Sequence, residues 1–284
     1  MDKIFDFINV NRDHYVEQLK TYLAIPSISA LPAHADDVRR CAEWSVAELS
    51  RIGMHNARLV ETPGHPVVYA EWLGAEGAPT ILFYGHYDVQ PVDPVELWTS
   101  PPFEATVRDG ELFARGAVDD KGQVFMHMKA IEAHLSQTGR LPVNIKVILE
   151  GEEEVGSANL DDFIKANKDL LKADVVVISD SPMFDRDVPS ICYGLRGLAY
   201  FQIDVRGTKS DLHSGSFGGA VVNPAMALAT MSEAEFPVPI GVFVRRVKPA
   251  FEVGVHQQIA AAKQKKAQSM RDLLHQGEIW TVGP

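Results

Sequence analysis

The stretch Ile81–Asp88, which reads Ile-Leu-Phe-Tyr-Gly-His-Tyr-Asp, constrains the fold of this chain more than any other. Its apolar run is bounded by Pro79 and Gly85 and is too short for a helix, so it predicts a buried strand. His86 then lies at the carboxyl end of that strand. Because residues two apart in an extended chain point to the same side, Asp88 can orient the imidazole while the other ring nitrogen binds a metal. A turn histidine beside a solvated aspartate is the alternative interpretation.

Helix-like and strand-like segments alternate along the chain, which predicts an α/β fold: a layered sheet with helices on both faces. Apolar residues at helical spacing predict helices over residues 2–23, 36–52 and 160–171, and a further helix that follows the loop at 115–122 and ends near Gly139. Besides the strand described above, the strand candidates are residues 57–60, 67–72, 103–107, 111–114, 143–149 and 175–178.

Three of the predicted buried strands end in residues that can bind a metal ion. These residues are His86 and Asp88 after the first strand, Glu150, Glu152, Glu153 and Glu154 after the second, and Asp180 after the third. In open α/β sheets the functional crevice lies outside the carboxyl ends of the strands, so parallel strands would collect these side chains in one place. Crowded carboxylates raise one another's pKa values unless a divalent cation offsets their charge. Each acid alone fits a solvated turn, but their convergence favours a metal site.

Composition indicates an ordinary globular enzyme. The chain carries 27 Lys and Arg against 38 Asp and Glu, a formal charge of -11, so we expect no nucleic-acid partner. Its two cysteines cannot form a disulfide framework, and acids interrupt the first six residues where a signal peptide needs an apolar run. We therefore expect a cytoplasmic protein. No apolar stretch in the sequence approaches the roughly 20 residues that span a bilayer, so we expect no membrane partner.

Several ordered motifs resemble the signatures of the M20 metallopeptidases. They are GHYDVQP at 85–91, GAVDDKG at 116–122, EGEEEVGS at 150–157, ISD at 178–180, YGLRG at 193–197 and DLHSG at 211–215. Their residues are most similar to those of the cytosolic dipeptidase branch, which includes carnosine-type dipeptidases. The resemblance covers roughly residues 10–230. Several motifs in family order and at family spacing are a much stronger signal than any one of them alone.

The resemblance implies a zinc-exopeptidase-like α/β fold with two domains. Residues 1–197 would form the metal-binding catalytic domain, and residues 198–284 would form part of an α+β lid and dimerisation domain with a divergent tail. It also implies a homodimer that assembles through the lid. His213 would reach into the partner subunit's active site and stabilise the tetrahedral oxyanion. A surface histidine in a glycine-rich loop is the alternative interpretation of His213.

The resemblance further implies a site for two divalent metal ions, usually zinc and sometimes manganese. Asp119 would bridge both ions. His86 and Asp180 would complete the first site, and Glu154 would bind the second ion. Such a pair of ions lowers the pKa of bound water towards neutrality and polarises the scissile carbonyl.

Catalytic roles follow from the same resemblance. Glu153 would be the general base that takes a proton from the activated water and passes it to the leaving amine. Asp88 would orient the metal-binding histidine. We expect a cis peptide between Asp119 and Asp120, which is rare without proline. Glu152 would be a spectator, while a shift of these roles by one position along the three glutamates remains an alternative.

After about residue 231 the sequence departs from the M20 pattern. Residues 240–243 and 247–249 resemble a family segment only faintly, and residues 256–276 predict a helix. The last metal-ligand histidine of the family has no clear counterpart, because His256 and His275 lack its usual sequence context. Three explanations remain open: a fragment, a disrupted gene product or a naturally reduced variant.

The predicted function is metal-dependent hydrolysis of the amide bond of dipeptides or small peptides. A deacylase or desuccinylase of N-acyl amino acids would use the same machinery and is one alternative. A catalytically impaired remnant that still binds metal and dimerises is the other. We expect weak activity at best from this chain, since only Asp119 and Glu154 are identified for the second ion, whereas a catalytic zinc normally takes three protein ligands.

Overall fold

A computed structural model describes residues 2–185, 188, 190–191 and 204–235 of the chain. The chain divides into two compact units, Met1–Ser190 and Ile191–Pro284. The sequence places the corresponding boundary after residue 197. The motif at 193–197, the second cysteine and the helix expected at 256–276 all lie outside the described residues.

The first unit contains six α-helices and seven strands among its described residues. The helices are α1 (Asp2–Val10), α2 (Arg12–Leu23), α3 (Ala35–Arg51), α4 (Lys121–Thr138), α5 (Leu160–Ala166) and α6 (Lys168–Leu171). The strands are β1 (His55–Val60), β2 (Val67–Trp72), β3 (Thr80–His86), β4 (Thr106–Arg108), β5 (Glu111–Phe113), β6 (Asn144–Glu150) and β7 (Val175–Ile178). The described part of the second unit contains α7 (Ser214–Phe217) and α8 (Pro224–Glu235). No helix within the described ranges is long and apolar enough to cross a membrane.

Five strands form one mixed sheet in the order β1-β2-β6-β3-β7, while β4 and β5 form a separate hairpin. β3 is parallel to both of its neighbours, with His86 opposite Glu150 in β6 and Tyr84 opposite Ile178 in β7. The carboxyl ends of β3, β6 and β7 therefore lie at the same edge of the sheet. The parallel arrangement expected for the three ligand-bearing strands is confirmed.

Helices cover both faces of this sheet, as predicted. Alternate residues of a strand point to opposite faces, so Val68 and Ala70 join a large core with residues of α2, α3 and α4. Val67 and Tyr69 join a smaller core on the other face, where Phe163 of α5 packs. The larger core fixes α4 against the sheet, and α4 begins directly after the loop that carries Asp119.

Two predicted helices are each broken by an asparagine. The expected helix over 2–23 is split at Asn11, and the expected helix over 160–171 is split at Asn167. In both cases the side-chain amide donates to the carbonyl four residues earlier, from Asn11 to Phe7 at 2.8 Å and from Asn167 to Phe163 at 2.9 Å. Such local bonds give the backbone an alternative to continued helix, which accounts for both breaks.

The sequence predicts β7 as a buried strand. The prediction of a strand is confirmed, but the prediction that it is buried is wrong. The strand exists at 175–178, but Val175 is 51% exposed, Val176 56% and Ile178 61%. Within the described residues it lies at the edge of the sheet and pairs only with β3. An apolar run predicts a strand well, but it does not say whether neighbours cover both sides of it.

Candidate metal centre

The carboxyl edge of the sheet brings together four of the residues that the sequence singles out. The His86 side chain is fully buried, and its Nε2 lies 3.1 Å from Oδ1 of Asp119, 3.8 Å from Oδ2 of Asp180 and 4.0 Å from Oε2 of Glu153. These acids come from the loop before α4, the end of β7 and the short 3-10 helix after β6. Convergence of the three strand ends is therefore present in the folded chain.

The loop that carries Asp119 is attached to the end of β3 through the next residue. The Asp119–Asp120 peptide is cis, as expected. Asp120 is buried, and its Oδ2 accepts the backbone N–H of His86 at 3.2 Å. Gly85 makes this approach possible, because a Cβ there would lie 2.7 Å from the same oxygen. Sequence reasoning expected the cis peptide to orient both aspartates, but it did not predict this hydrogen bond from the end of β3 to Asp120.

Asp88 lies behind the imidazole and contacts more than the histidine. His86 Nδ1 lies 3.1 Å from the Asp88 carbonyl oxygen and 3.4 Å from its carboxylate Oδ1, so a proton on Nδ1 leaves Nε2 free as a ligand. The same carboxylate accepts the backbone N–H groups of Glu153 at 3.3 Å and Glu154 at 3.2 Å. Asp88 thus joins the histidine to the glutamate turn.

The glutamates at the end of β6 and directly after it divide into two pairs. Glu150 accepts hydrogen bonds from the hydroxyls of Tyr84 and Ser157, so it belongs to the framework of the turn. Glu152 accepts the backbone N–H of His65 at 3.3 Å and the side-chain amide of Asn159 at 2.8 Å, so it anchors a neighbouring loop.

Glu153 and Glu154 form the second pair and contribute to the site itself. Glu154 accepts a hydrogen bond from the Gln90 side-chain amide at 2.7 Å. Sequence reasoning gave Gln90 no role beyond its place in the GHYDVQP motif. This contact holds the Glu154 carboxylate beside the segment that follows His86.

Two groups of three side chains place their candidate ligand atoms within 4.8 Å of one another. One group is His86, Asp119 and Asp180, and the other is His86, Glu153 and Glu154. The first is the set expected for one metal ion. The second contains both Glu153 and Glu154, so the division of roles between these two residues stays a prediction.

The pKa values at the site reflect burial and the closeness of several negatively charged carboxylates. Burial, together with the charges of Asp180 and Asp119, raises the pKa of Asp120 to about 7 against the opposing charge and hydrogen bond of His86. Burial also raises the pKa values of Glu153 and Glu154. Burial opposes protonation of His86, but the hydrogen bond and charge of Asp88 outweigh it and raise its pKa to about 10.

This donor set suits a divalent cation. One imidazole nitrogen with several carboxylate oxygens is a set that zinc and manganese accept, and a bound cation would reverse the raised pKa values of the acids. The residues present therefore fit the metal ions that the M20 resemblance implies.

His213 belongs to the second unit and is described by itself. It is exposed at the start of α7, where its Nδ1 accepts the backbone N–H of Gly215 at 3.1 Å. Its predicted role in the partner subunit's site stays a prediction.

Comparison with known proteins identifies the family of the chain. The model of "Peptidase family M20/M25/M40" matches residues 82–276. A Cys-Gly metallodipeptidase of Schizosaccharomyces pombe is 36% identical over 275 residues, covering 92% of this chain and 56% of that protein. The human Beta-Ala-His dipeptidase is 35% identical over 246 residues, covering 81% of this chain and 48% of that protein.

Two solved structures of dipeptidases are also similar to this chain. The crystal structure of human carnosine dipeptidase 1 is 31% identical, with a TM-score of 0.67 over 90% of this chain and 55% of that one. The dipeptidase Dug1p from Saccharomyces cerevisiae is 28% identical, with a TM-score of 0.67 over 82% of this chain and 52% of that one. The chain spans about half the length of the curated relatives it matches. The match to the family model and the identity to these relatives show that the chain belongs to peptidase family M20/M25/M40.

Proposed function

We propose that this protein is a metal-dependent hydrolase that cleaves the amide bond of dipeptides or small peptides. The observation that carries the proposal is the contact of one buried imidazole with Asp119, Asp180 and Glu153 within 4.0 Å at the carboxyl edge of parallel strands. The relatives support the substrate class, because their names describe Cys-Gly and Beta-Ala-His dipeptidases.

The proposed cofactors are two divalent metal ions, zinc or alternatively manganese. His86, Asp119 and Asp180 would hold the first ion, and Asp119 with Glu154 would hold the second. When bound, these ions activate a water molecule and polarise the scissile carbonyl.

The chain's own side chains then have separate tasks. Asp88 keeps the His86 ring in one orientation by contacts on its Nδ1 side. Glu153 is partly exposed, and its raised pKa brings proton uptake closer to neutral pH. A carboxylate in that position can accept a proton from water and return it to the leaving amine.

The proposal also includes a homodimer formed through the second unit, with His213 acting in the partner subunit's site, and a location in the cytoplasm. The DLHSG motif at 211–215 supports the dimer, because it resembles the lid motif of the family.

The test combines metal analysis with hydrolysis assays on the purified 284-residue chain. We expect about two zinc or manganese ions per chain, and release of amino acids from Cys-Gly or β-Ala-His that stops when a chelator is added. We expect slow turnover, since only two residues are identified for the second ion. One ion or none per chain, with no hydrolysis, contradicts the proposal and favours the impaired remnant. Cleavage of N-acyl amino acids but not of dipeptides favours the deacylase.

A further inference from the structure

The segment at residues 26–29 runs beside the strand end that carries His86. The backbone N–H of Val89 donates to the Ser27 carbonyl at 2.9 Å, and Ile28 forms a parallel bridge with Val89. The Ser27 hydroxyl donates to the Tyr87 carbonyl at 2.6 Å. These contacts hold the segment against the residues that directly follow the histidine.

Ser29 adds a contact to the site itself. Its hydroxyl donates to Oδ2 of Asp88 at 2.6 Å. This distance falls in the range of hydrogen bonds from a hydroxyl to a carboxylate, which are shorter and stronger than neutral ones. By comparison, the backbone N–H groups of Glu153 and Glu154 reach the same carboxylate at 3.3 and 3.2 Å. Asp88 is 0% exposed, so in the folded chain its carboxylate relies on protein donors and not on bulk water.

We propose that Ser29 is a positioning residue of the metal centre, which fixes the Asp88 carboxylate and through it the His86 ring and the Glu153–Glu154 turn. This inference rests on the proposed function, because it assumes that these side chains hold metal ions.

The physical reason is the number of groups that depend on one carboxylate. Oδ1 of Asp88 faces the His86 ring and the Glu153 N–H, while Oδ2 receives the Ser29 hydroxyl and the Glu154 N–H. Without the hydroxyl, Oδ2 keeps only the longer backbone contact. The carboxylate can then rotate. It no longer fixes the imidazole and the glutamate turn relative to each other.

The test compares variants at two serines of the same segment. Ser29→Ala removes the hydroxyl, while Ser29→Thr and Ser29→Val have the same shape as each other and differ only by the hydroxyl. Ser27→Ala is the matched control, since it removes a hydrogen bond of the same 2.6 Å length that ends on a backbone carbonyl instead of on Asp88. Zinc affinity is measured by competition with a chelator, the visible absorption of the cobalt-loaded protein reports ligand geometry, and thermal unfolding of the metal-free protein reports stability.

We expect Ser29→Ala and Ser29→Val to bind zinc about tenfold more weakly than the wild type, at the low end of the loss usual for groups that orient metal ligands. Their cobalt spectra should change as well. Ser29→Thr and Ser27→Ala should stay within about twofold of the wild type, although Ser27→Ala lowers the unfolding temperature. If Ser29→Ala fails to fold, the comparison of Ser29→Thr with Ser29→Val still tests whether the hydroxyl is needed.

Three results would overturn the inference. The first is wild-type zinc affinity and cobalt spectrum in Ser29→Val, and the second is an equal loss in Ser27→Ala. Either one leaves the proposed function standing. The third is a wild-type chain that binds neither zinc nor cobalt, which overturns the proposed function together with this inference.

Discussion

Two clusters of buried charge in the first unit differ in how their carboxylates are balanced. Between α3 and α4, Lys129 contacts both Glu48 and Glu132, and Arg51 binds Glu48 through two nitrogens at 2.7 Å and Glu132 at 2.8 Å. At the metal centre, no Lys or Arg of the described residues forms a salt bridge to the acids around His86. The first cluster thus contains Lys and Arg partners, whereas among the described residues the acids of the second face only the imidazole of His86.

The pKa values reflect this difference. Burial alone would raise the pKa of Glu48, yet the hydrogen bonds and charges of Arg51 and Lys129 lower it below its usual value. Burial raises the pKa values of Glu153 and Glu154, and for these acids the neighbouring charges are mostly negative. Glu48 is more deeply buried than Glu153, yet its pKa is lowered while that of Glu153 is raised. An internally balanced cluster can serve stability alone, whereas an unbalanced one is a candidate site for an external cation.

The largest expected effect comes from removing the central acid of the unbalanced cluster. Asp119→Ala should abolish binding of both metal ions, because Asp119 lies closest to the histidine and is proposed to bridge them. His86→Ala or Asp180→Ala should remove mainly one ion. Metal content per chain, measured by elemental analysis after dialysis, checks this ordering. Undiminished metal binding in Asp119→Ala would show that the bridging role is misassigned.

Removing a cation from the balanced cluster should affect stability and leave metal binding unchanged. Lys129→Met is expected to lower the free energy of unfolding by about 3–5 kcal/mol, since it leaves the buried carboxylates of Glu48 and Glu132 short of a partner. Lys165→Met is the matched control, because Lys165 pairs with Asp161 on the surface and should cost less than about 1 kcal/mol. Urea unfolding measures both. Similar losses in the two variants would contradict the comparison.

A third prediction separates the two glutamates of the metal centre. Glu153→Gln should keep the metal ions but lower turnover by at least about a hundredfold, the usual scale for loss of a positioned proton shuttle. Glu154→Gln should lower metal content. Parallel metal analysis and dipeptide assays check the pair. The opposite outcome, with metal lost from Glu153→Gln and kept by Glu154→Gln, would mean that the roles are shifted by one residue.

The smallest expected effect is a pH dependence of the balanced cluster. The folded-state pKa of Glu48 lies below its ordinary value of 4.5, so its contribution to stability is present above about pH 4.5 and is lost as the pH falls through the folded-state value. Glu48→Gln should therefore lose less stability than the wild type between pH 4.5 and more acidic conditions. Urea unfolding across this range measures the difference. Identical pH profiles would show that Glu48 gains nothing from Arg51 and Lys129.

Sequence reasoning predicted which residues meet at the candidate metal centre because they lie at strand ends and in short motifs. The strand ending at His86, the parallel arrangement and the cis peptide after Asp119 all follow from patterns within a few residues or from the family resemblance. Partners far apart in the sequence were missed. Ser29 and Asp88 are 59 residues apart, and Gln90 and Glu154 are 64 apart.

The balanced cluster was missed for the same reason. Glu48 and Lys129 are 81 residues apart and meet only because α3 and α4 pack together on the sheet. A short sequence pattern cannot predict a contact between residues so far apart in the chain. The burial of β7 was also mispredicted, because burial depends on elements beyond the strand itself.

The exposure of β7 matters for how the protein behaves at high concentration. Among the described residues β7 is an apolar strand at the edge of the sheet. The backbone groups of such a strand can pair with a similar strand, so two copies can add to each other's sheets. Asp180 follows β7 by two residues, so this kind of self-association would crowd the mouth of the metal centre. Metal uptake that falls as protein concentration rises would then report aggregation through the sheet edge and not a weak site. A lysine in place of Val176 is a simple way to keep the two effects apart.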